Sequence, residues 1–436
     1  MDKTSQLLKK IKQKKIKIGI VGLGYVGLPL AIRFLKKKIN IFGVDVDKKK
    51  IISLKNGKSY IRSIENKKIK YFKNNKNRIS YNYKLLKEVD VIIVCLPTPL
   101  KYKNKPDLDF INKCVKKITP FLKDKIFVLE STVYPGATED ILKKFIHKKH
   151  VVGEEVFVGY SPERENPGDK NFSYQKTPKV ISGYTDKCVT LVSELYKIIA
   201  SKVYKAKNIE TAEMSKLLEN IYRSVNISLI NELKIISKYF DKINILDVIE
   251  TAGTKNFGFT KFYPGPGIGG HCIPIDPYYL SWASKRKGYD SRFIRLSGNY
   301  ADFLPKWILN NILEFYKSRR IKLGKALILG VSYKANVDDD RESPSYKLMN
   351  LMKKKKILYN YHDPYFPILR VGRLNKIKLN SVKLSKENLK RFDATIIITD
   401  HHDIDYKLVY KYSKFIFDTR GIMRKKGYMD KKIIEL

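Results

Sequence analysis

Residues 16–47 read IKIGIVGLGYVGLPLAIRFLKKKINIFGVDVD. A strand-length apolar run meets the glycine cluster GLGYVG, a helical stretch follows, and a second apolar run ends on Asp45. Gly22, Gly24 and Gly27 have G-x-G-x-x-G spacing, with Tyr25 and Val26 inside the loop. In a strand–turn–helix unit the first glycine permits the tight turn. The second lets the backbone approach a pyrophosphate, and the third lets helix and sheet pack closely. The helix start adds free N–H groups and the positive end of its dipole, so the stretch predicts a dinucleotide site. A carboxylate at Asp45 suits the adenosine ribose hydroxyls and repels a 2′-phosphate, which selects NAD over NADP even with Lys48, Lys49 and Lys50 following it.

Working outward, buried-strand runs recur at Val89–Pro97, Lys125–Thr132 and Val156–Glu163, separated by helical stretches such as Leu108–Leu122. Strands alternating with helices imply an α/β, doubly wound parallel sheet covered on both faces. From about Ile209 to Phe240, Met214, Leu217, Leu218, Ile221, Val225, Leu229, Leu233 and Ile236 recur at helical spacing. That helix would span about 48 Å, longer than one small domain needs, so it reads as a central connector between domains and between subunits. The alternation restarts at Gly324–Lys334, Ile357–Tyr365, Phe392–His401 and Phe415–Gly421. The expected organisation is a Rossmann-like domain over 1–206, a central helical dimerisation region over 207–316, and a second Rossmann-like domain over 317–436.

Composition narrows the class. A 43% hydrophobic chain of 436 residues suits globular domains rather than disorder. The apolar stretch Ile16–Leu35 carries four glycines, a proline and Arg33, which excludes it as a membrane span. The polar start MDKTSQLLKKIKQKK has no cleavable apolar core, so the expectation is a cytoplasmic protein without a membrane partner. Cys95, Cys114, Cys188 and Cys272 are scattered, giving neither a disulfide framework nor a zinc motif. His147 and His150 read as a solvated loop, and no metal is expected. The net charge of +45 is distributed along the whole chain, alongside abundant Ile, Asn and Tyr. With no recognisable docking motif, it reads as general basicity rather than a specific nucleic-acid footprint. The rival from another class is a basic nucleic-acid-binding protein on an inactive scaffold.

GIGGHCIPIDP, residues 267–277, is the second informative cluster. Its glycines would let the chain approach a ligand, and a thiolate at Cys272 can add to an aldehyde to give an adduct that surrenders a hydride. From the residues alone, Cys272 is equally a small core residue, and Asp276 a helix cap before Pro277.

The order of motifs resembles the UDP-glucose/GDP-mannose dehydrogenase family along nearly the whole chain. They are GLGYVGLPLA (22–31), LPTP (96–99), ESTVYPG (130–136), GYSPERENPG (159–168), EMSKLLENIYRSVNI (213–227), GGHCIPIDPYYL (269–280) and DDRESP (339–344). The resemblance implies oxidation of a UDP-sugar alcohol through the aldehyde to the carboxylate, reducing two NAD and consuming one water. Cys272 is then the nucleophile and Lys216 and Asn220 the oxyanion-stabilising pair. Asp276 helps activate water, and Thr132 holds water or the substrate hydroxyl near Glu163. Lys334 and Arg420 hold the nucleotide of the substrate. Arg164, Arg223, Tyr263, Gly267 and Gly269 are further substrate contacts. Lys50, Pro97, Thr98, Thr132 and Arg341 join the glycine loop on the cofactor, Arg341 from across the domain cleft. UDP-glucose enzymes read SPEFLREG, whereas Pro167 here replaces the second glutamate. SPERENPG, TKNFGF (254–259) and FYPGPGIGGHCIPIDPYYLSW (262–282) resemble the branch acting on UDP-N-acetylglucosamine at C6, in surface-polysaccharide pathways such as lipopolysaccharide O-antigen. UDP-N-acetylgalactosamine, UDP-N-acetylmannosamine and UDP-glucose are the alternatives, and a homodimer or higher homo-oligomer is expected. Asp340 stands where an aliphatic residue is usual before Arg341, and Asn256 where proline is.

Overall fold

The computed structural model describes residues 2–73, 78–164, 177–369 and 377–436; Pro167, which departs from the UDP-glucose pattern, lies outside them. The chain packs as two compact units, Met1–Glu219 with Tyr279–Tyr289, and Asn220–Tyr278 with Asp290–Leu436. In the first, β1 (Lys17–Val21), β2 (Asn40–Val44), β3 (Arg78–Ser80), β4 (Val91–Val94), β5 (Lys125–Leu129), β6 (Val156–Tyr160), β7 (Lys179–Gly183) and β8 (Val203–Lys205) form one sheet. Their order is β8-β7-β6-β5-β4-β1-β2-β3. Every residue of β4 and β6 is buried, the continuous apolar signature of strands covered on both faces.

The register decides where the chemistry sits. Val21 is paired with Val44 and Val94, Val94 with Leu129, and Leu129 with Tyr160, all in parallel. Five strands therefore finish in one row. The order reverses between β1 and β4, the crevice where open α/β sheets bind ligands. One pair departs from the uniformly parallel sheet expected: β6 and β7 are antiparallel, Tyr160 opposite Ser182. A buried apolar strand has the same composition in either direction, so its sequence carries no signal for this reversal.

The second unit holds a parallel sheet of β9 (Lys325–Leu329), β10 (Leu358–His362), β11 (Ala394–Ile397), β12 (Phe415–Asp418) and β13 (Ile433–Glu435), ordered β10-β9-β11-β12-β13. Ala326, Ile328, Ile396 and Phe417 pack with Ile312, Tyr316 and Met349. The alternate residues Leu327, Leu329, Ile397 and Ile416 pack with Leu389, Val409 and Met423. The period of two thus fills two cores, one on each face.

The helix α1, Gly27–Lys36, follows the glycine loop. The long helix α2 spans Ile209–Ser237, about 44 Å at 1.5 Å per residue. Its faces run against the simple hydrophobic expectation. Met214, Leu218, Tyr222, Leu229, Leu233 and Ile236 form one exposed stripe, Leu218 at 60% and Leu229 at 49%. The opposite side buries polar residues, Glu213, Lys216, Asn220, Ser224, Ser228, Asn231 and Lys234, flanked by the buried apolar Ala212, Leu217, Ile221 and Ile230. Polar groups tolerate burial only with partners, and this face has them. Glu213 accepts from the Gly136 and Thr138 N–H groups, Ser228 donates to the Ser297 carbonyl, and Asn231 accepts from the Gly265 N–H. Burial pushes the Glu213 carboxyl up to about 7, against the pull of its Thr138 and Gly136 hydrogen bonds.

A Cβ at position 27 would lie 1.9 Å from the Gly22 carbonyl oxygen, a backbone atom, whereas a Cβ at position 24 would meet nothing within 4 Å. Gly27→Ala is therefore expected to destabilise the first unit by about 1–3 kcal/mol, lowering the apparent Tm by several degrees in a thermal melt. Gly24→Ala should melt within about one degree of wild type; equal losses for the two would contradict this packing.

Candidate active site

The turn after β1 is built from backbone constraints. Gly22 has φ +90°, and a Cβ there would lie 2.5 Å from the Cys95 carbonyl oxygen. The Gly22 N–H donates to the Val44 carbonyl. Asp45 then clamps the loop, its Oδ2 accepting the Leu23 N–H at 2.9 Å and its Oδ1 the Asp47 N–H at 2.9 Å. The Lys50 ammonium lies 3.2 Å from Asp45 Oδ2 and over the Tyr60 ring, while the Tyr60 hydroxyl donates to the Leu23 carbonyl. Among the described residues nothing lies within 4 Å of a Cβ at Gly24, which leaves room there for the close approach that a pyrophosphate needs. Tyr25 and Val26 complete the turn into α1, whose start has no side-chain cap to occupy its N–H groups. These residues fit a dinucleotide.

Along the same edge, Pro97 and Thr98 lie three and four residues beyond Val94. Thr132 and Glu163 each lie three residues beyond the paired Leu129 and Tyr160. Parallel register thus carries both to the carboxyl edge that bears the glycine loop. The Leu96 N–H donates to Ser131 Oγ at 2.9 Å, joining two of these strand ends. Glu163 Oε1 accepts the Arg164 N–H at 2.9 Å, and the Arg164 guanidinium reaches Glu219 at 2.6 Å. Glu163 Oε2 faces Lys179, which sequence reasoning missed. Lys216 is buried on α2, in the first unit.

In the second unit, Cys272 is the one exposed cysteine of the four. Its carbonyl accepts the N–H groups of Ile275 and Asp276, the turn that leads into helix α3, Asp276–Arg286. Asn220, one turn beyond Lys216 on α2, donates to Asp276 Oδ2 at 2.5 Å, and both are buried. The glycines of this loop have a packing role. A Cβ at Gly269 would lie 2.8 Å from Tyr333 Cβ, and one at Gly270, with φ +91°, 2.9 Å from its ring. A Cβ at Gly267 would lie 3.1 Å from the Ala301 carbonyl. The side-chain-free faces of these glycines are turned towards the protein itself, not left open as the one at Gly24 is.

DDRESP closes on the same loop. The Arg341 carbonyl accepts the Gly270 N–H at 2.9 Å, and the Arg341 guanidinium holds the Asp339 carboxylate. The departure at Asp340 has a local partner, the Tyr346 hydroxyl. Lys334 and Arg420 follow the carboxyl ends of β9 and β12. Arg420 Nε donates to the Ile398 carbonyl at 2.9 Å, and a Cβ at Gly265 would lie 2.4 Å from Arg420 Nη1. Lys234, also missed from sequence, donates to the Thr419 carbonyl beside Arg420, and burial pushes it down to about 7. Tyr263 donates to Glu250 at 2.5 Å, and Arg223 is exposed on α2. Among the described residues, no three His, Cys, Asp or Glu side chains cluster as metal ligands, and no helix is long and apolar enough to cross a membrane.

Comparison with known proteins joins these parts. Residues 16–200 match the NAD binding domain of the UDP-glucose/GDP-mannose dehydrogenase family, residues 210–301 its central domain, and residues 327–425 its UDP binding domain. The chain is 36% identical over 364 residues to a UDP-N-acetyl-D-glucosamine 6-dehydrogenase of Pseudomonas aeruginosa, covering 81% of this chain and 83% of that one. It is 32% identical over 429 residues to a UDP-N-acetyl-D-mannosamine dehydrogenase of Methanococcus vannielii, covering 94% of each. A UDP-D-ManNAc dehydrogenase structure from Pyrococcus horikoshii superposes with a TM-score of 0.84 at 28% identity, over 93% of this chain and 96% of that one. NAD is the cofactor, and the chain belongs to the UDP-glucose/GDP-mannose dehydrogenase family.

Proposed function

We propose that this enzyme oxidises UDP-N-acetyl-D-glucosamine at C6 to the uronate in two successive two-electron steps, supplying a precursor for surface polysaccharide. The observation that carries this is Cys272, the exposed thiol, one helical turn from an Asp276 carboxylate fixed by Asn220. NAD, when bound, accepts the hydride at each oxidation. Gly22, Gly24, Tyr25, Val26 and Gly27 would hold its pyrophosphate and Asp45 its adenosine ribose, with Pro97, Thr98 and Thr132 as further contacts from the strand ends.

In the first oxidation the C6 hydroxyl gives its proton to a base while the carbon loses hydride, leaving the aldehyde. Thr132 holds that hydroxyl, and Glu163 takes the proton. The Cys272 sulfur then adds to the aldehyde carbon, and Lys216 and Asn220 stabilise the oxyanion. Loss of a second hydride leaves a thioester. Glu163 has by then given its first proton to solvent; water adds to the thioester carbonyl, Asp276 takes one of its protons, and the other passes to the sulfur as the carbon–sulfur bond breaks, freeing the uronate and the thiol. Lys334 and Arg420 hold the nucleotide, and Arg164, Arg223, Tyr263 and the backbone at Gly267 and Gly269 position the rest. UDP-N-acetylmannosamine is the second reading, because relatives of both names match this chain at similar identity. The exposed apolar stripe on α2 supports assembly of two copies through that helix, since patches of this kind mark association surfaces.

A panel of UDP-sugars assayed for NADH should rank UDP-N-acetylglucosamine first by kcat/KM; a higher value for UDP-N-acetylmannosamine would move the assignment to the second reading. Cys272→Ala should cut uronate formation by roughly a thousandfold or more, and near-normal turnover would remove the covalent role. Leu229→Asp combined with Leu233→Asp should convert the oligomer to monomer in sedimentation equilibrium. An unchanged mass would exclude α2 as the interface.

A further inference from the structure

The antiparallel turn-back of β7 has a chemical consequence. With Tyr160 opposite Ser182, the register continued three residues past the ladder sets Glu163 opposite Lys179. The side chains meet accordingly. Lys179 Nζ lies 3.3 Å from Glu163 Oε2, 2.9 Å from Glu130 Oε1 and 3.2 Å from the Pro162 carbonyl. Among the described residues these three acceptors suit the donors of an ammonium. The Lys179 side chain is 2% exposed, that of Glu130 0% and that of Glu163 14%.

Two carboxylates share this one buried ammonium, and their surroundings divide it unequally. Glu130 lies deepest, with the Tyr196 hydroxyl donating to Oε1 at 2.6 Å and Cys95 Sγ 3.7 Å from Oε2. Burial raises the Glu130 carboxyl above its usual range. Glu163 feels burial too, but Lys179, then Arg33 and Lys216, outweigh it and hold the carboxyl below its usual range. The pair titrates as a unit, so what happens to one carboxyl is set by the charge on the other.

We propose that Lys179 is a positioning residue for the reaction, fixing the orientation and the ionised state of Glu163, with Glu130 as the counter-carboxylate that limits its effect. The inference rests on Glu163 being the proton acceptor of the proposed mechanism. A proton acceptor works only when ionised, so the charges around Glu163 set the acid limb of the pH profile. Removing the ammonium leaves Glu163 beside Glu130 without its nearest cation and moves that limb to higher pH. Neutralising Glu130 leaves the whole ammonium to Glu163 and moves the limb to lower pH. A purely structural role would depress activity at every pH and move neither.

The experiment measures kcat/KM for UDP-N-acetylglucosamine against pH, at saturating NAD, for wild type, Lys179→Met, Glu130→Gln and Glu163→Gln. Lys179→Met should displace the acid limb upward by about one pH unit or more, and Glu130→Gln should displace it downward. Glu130→Gln keeps its hydrogen-bonding shape, so it decides the matter even if Lys179→Met does not fold. An acid limb unchanged in both variants, with Glu163→Gln inactive, would overturn the role of Lys179 and leave that of Glu163 standing. Wild-type activity in Glu163→Gln would overturn the reading of Glu163 itself.

Discussion

The structure depends on the register of parallel strands. Val21, Val44, Val94, Leu129 and Tyr160 are joined partner to partner in one row, so each strand hands its next few residues to the same edge of the sheet. Motifs separated by more than a hundred residues, from GLGYVG to SPER, thereby become neighbours on one edge. A one-residue slip in any strand would turn its side chains to the opposite face, and β4 and β6, buried throughout, cannot slip without exposing apolar surface to solvent elsewhere. The second unit repeats the rule with β9 and β12, which deliver Lys334 and Arg420.

Upon that scaffold the buried polar groups are held by specific partners. The chain carries a net charge of +45, yet several of its buried charges have specific partners. Asp45 is paired with Lys50, Glu130 and Glu163 share Lys179, and Lys234 is bonded to the Thr419 carbonyl. Burying a charge is unfavourable unless it is paired and hydrogen-bonded. α2 concentrates this: its buried side sets Glu213, Lys216, Asn220, Asn231 and Lys234 among buried Ala212, Leu217, Ile221 and Ile230, while a second apolar stripe, with Leu218 and Leu229, is exposed. The surplus of positive charge suits an anionic nucleotide sugar.

The fold was legible because glycine spacing and apolar runs are local signals. GLGYVG names its own turn, as the clashes at Gly22 and Gly27 bear out, and the strand runs fell where the sheets are. Four things were not legible, each for a physical reason. Strand direction leaves no mark on a fully buried strand, so the reversal at β7 and with it Lys179 were missed. Lys179 and Lys234 are two among many lysines, and only packing separates a buried one from a solvated one. The helical periodicity of α2 identified an apolar stripe but could not say which face the protein buries. The glycines of GIGG suggested an approach to ligand, and their packing against Tyr333 and the Ala301 and Glu342 carbonyls, which meet a Cβ there, left no mark in the local sequence.

Electron count tests the chemistry most directly: a nucleophilic thiol is needed only if the aldehyde is carried on to the carboxylate. Wild-type enzyme should therefore be given a limiting amount of UDP-N-acetylglucosamine with excess NAD, and NADH measured at completion by absorbance, with product identified by mass. Two NADH per sugar consumed, with the uronate as product and little free aldehyde, is the predicted result. One NADH per sugar, with the aldehyde accumulating, would contradict the account.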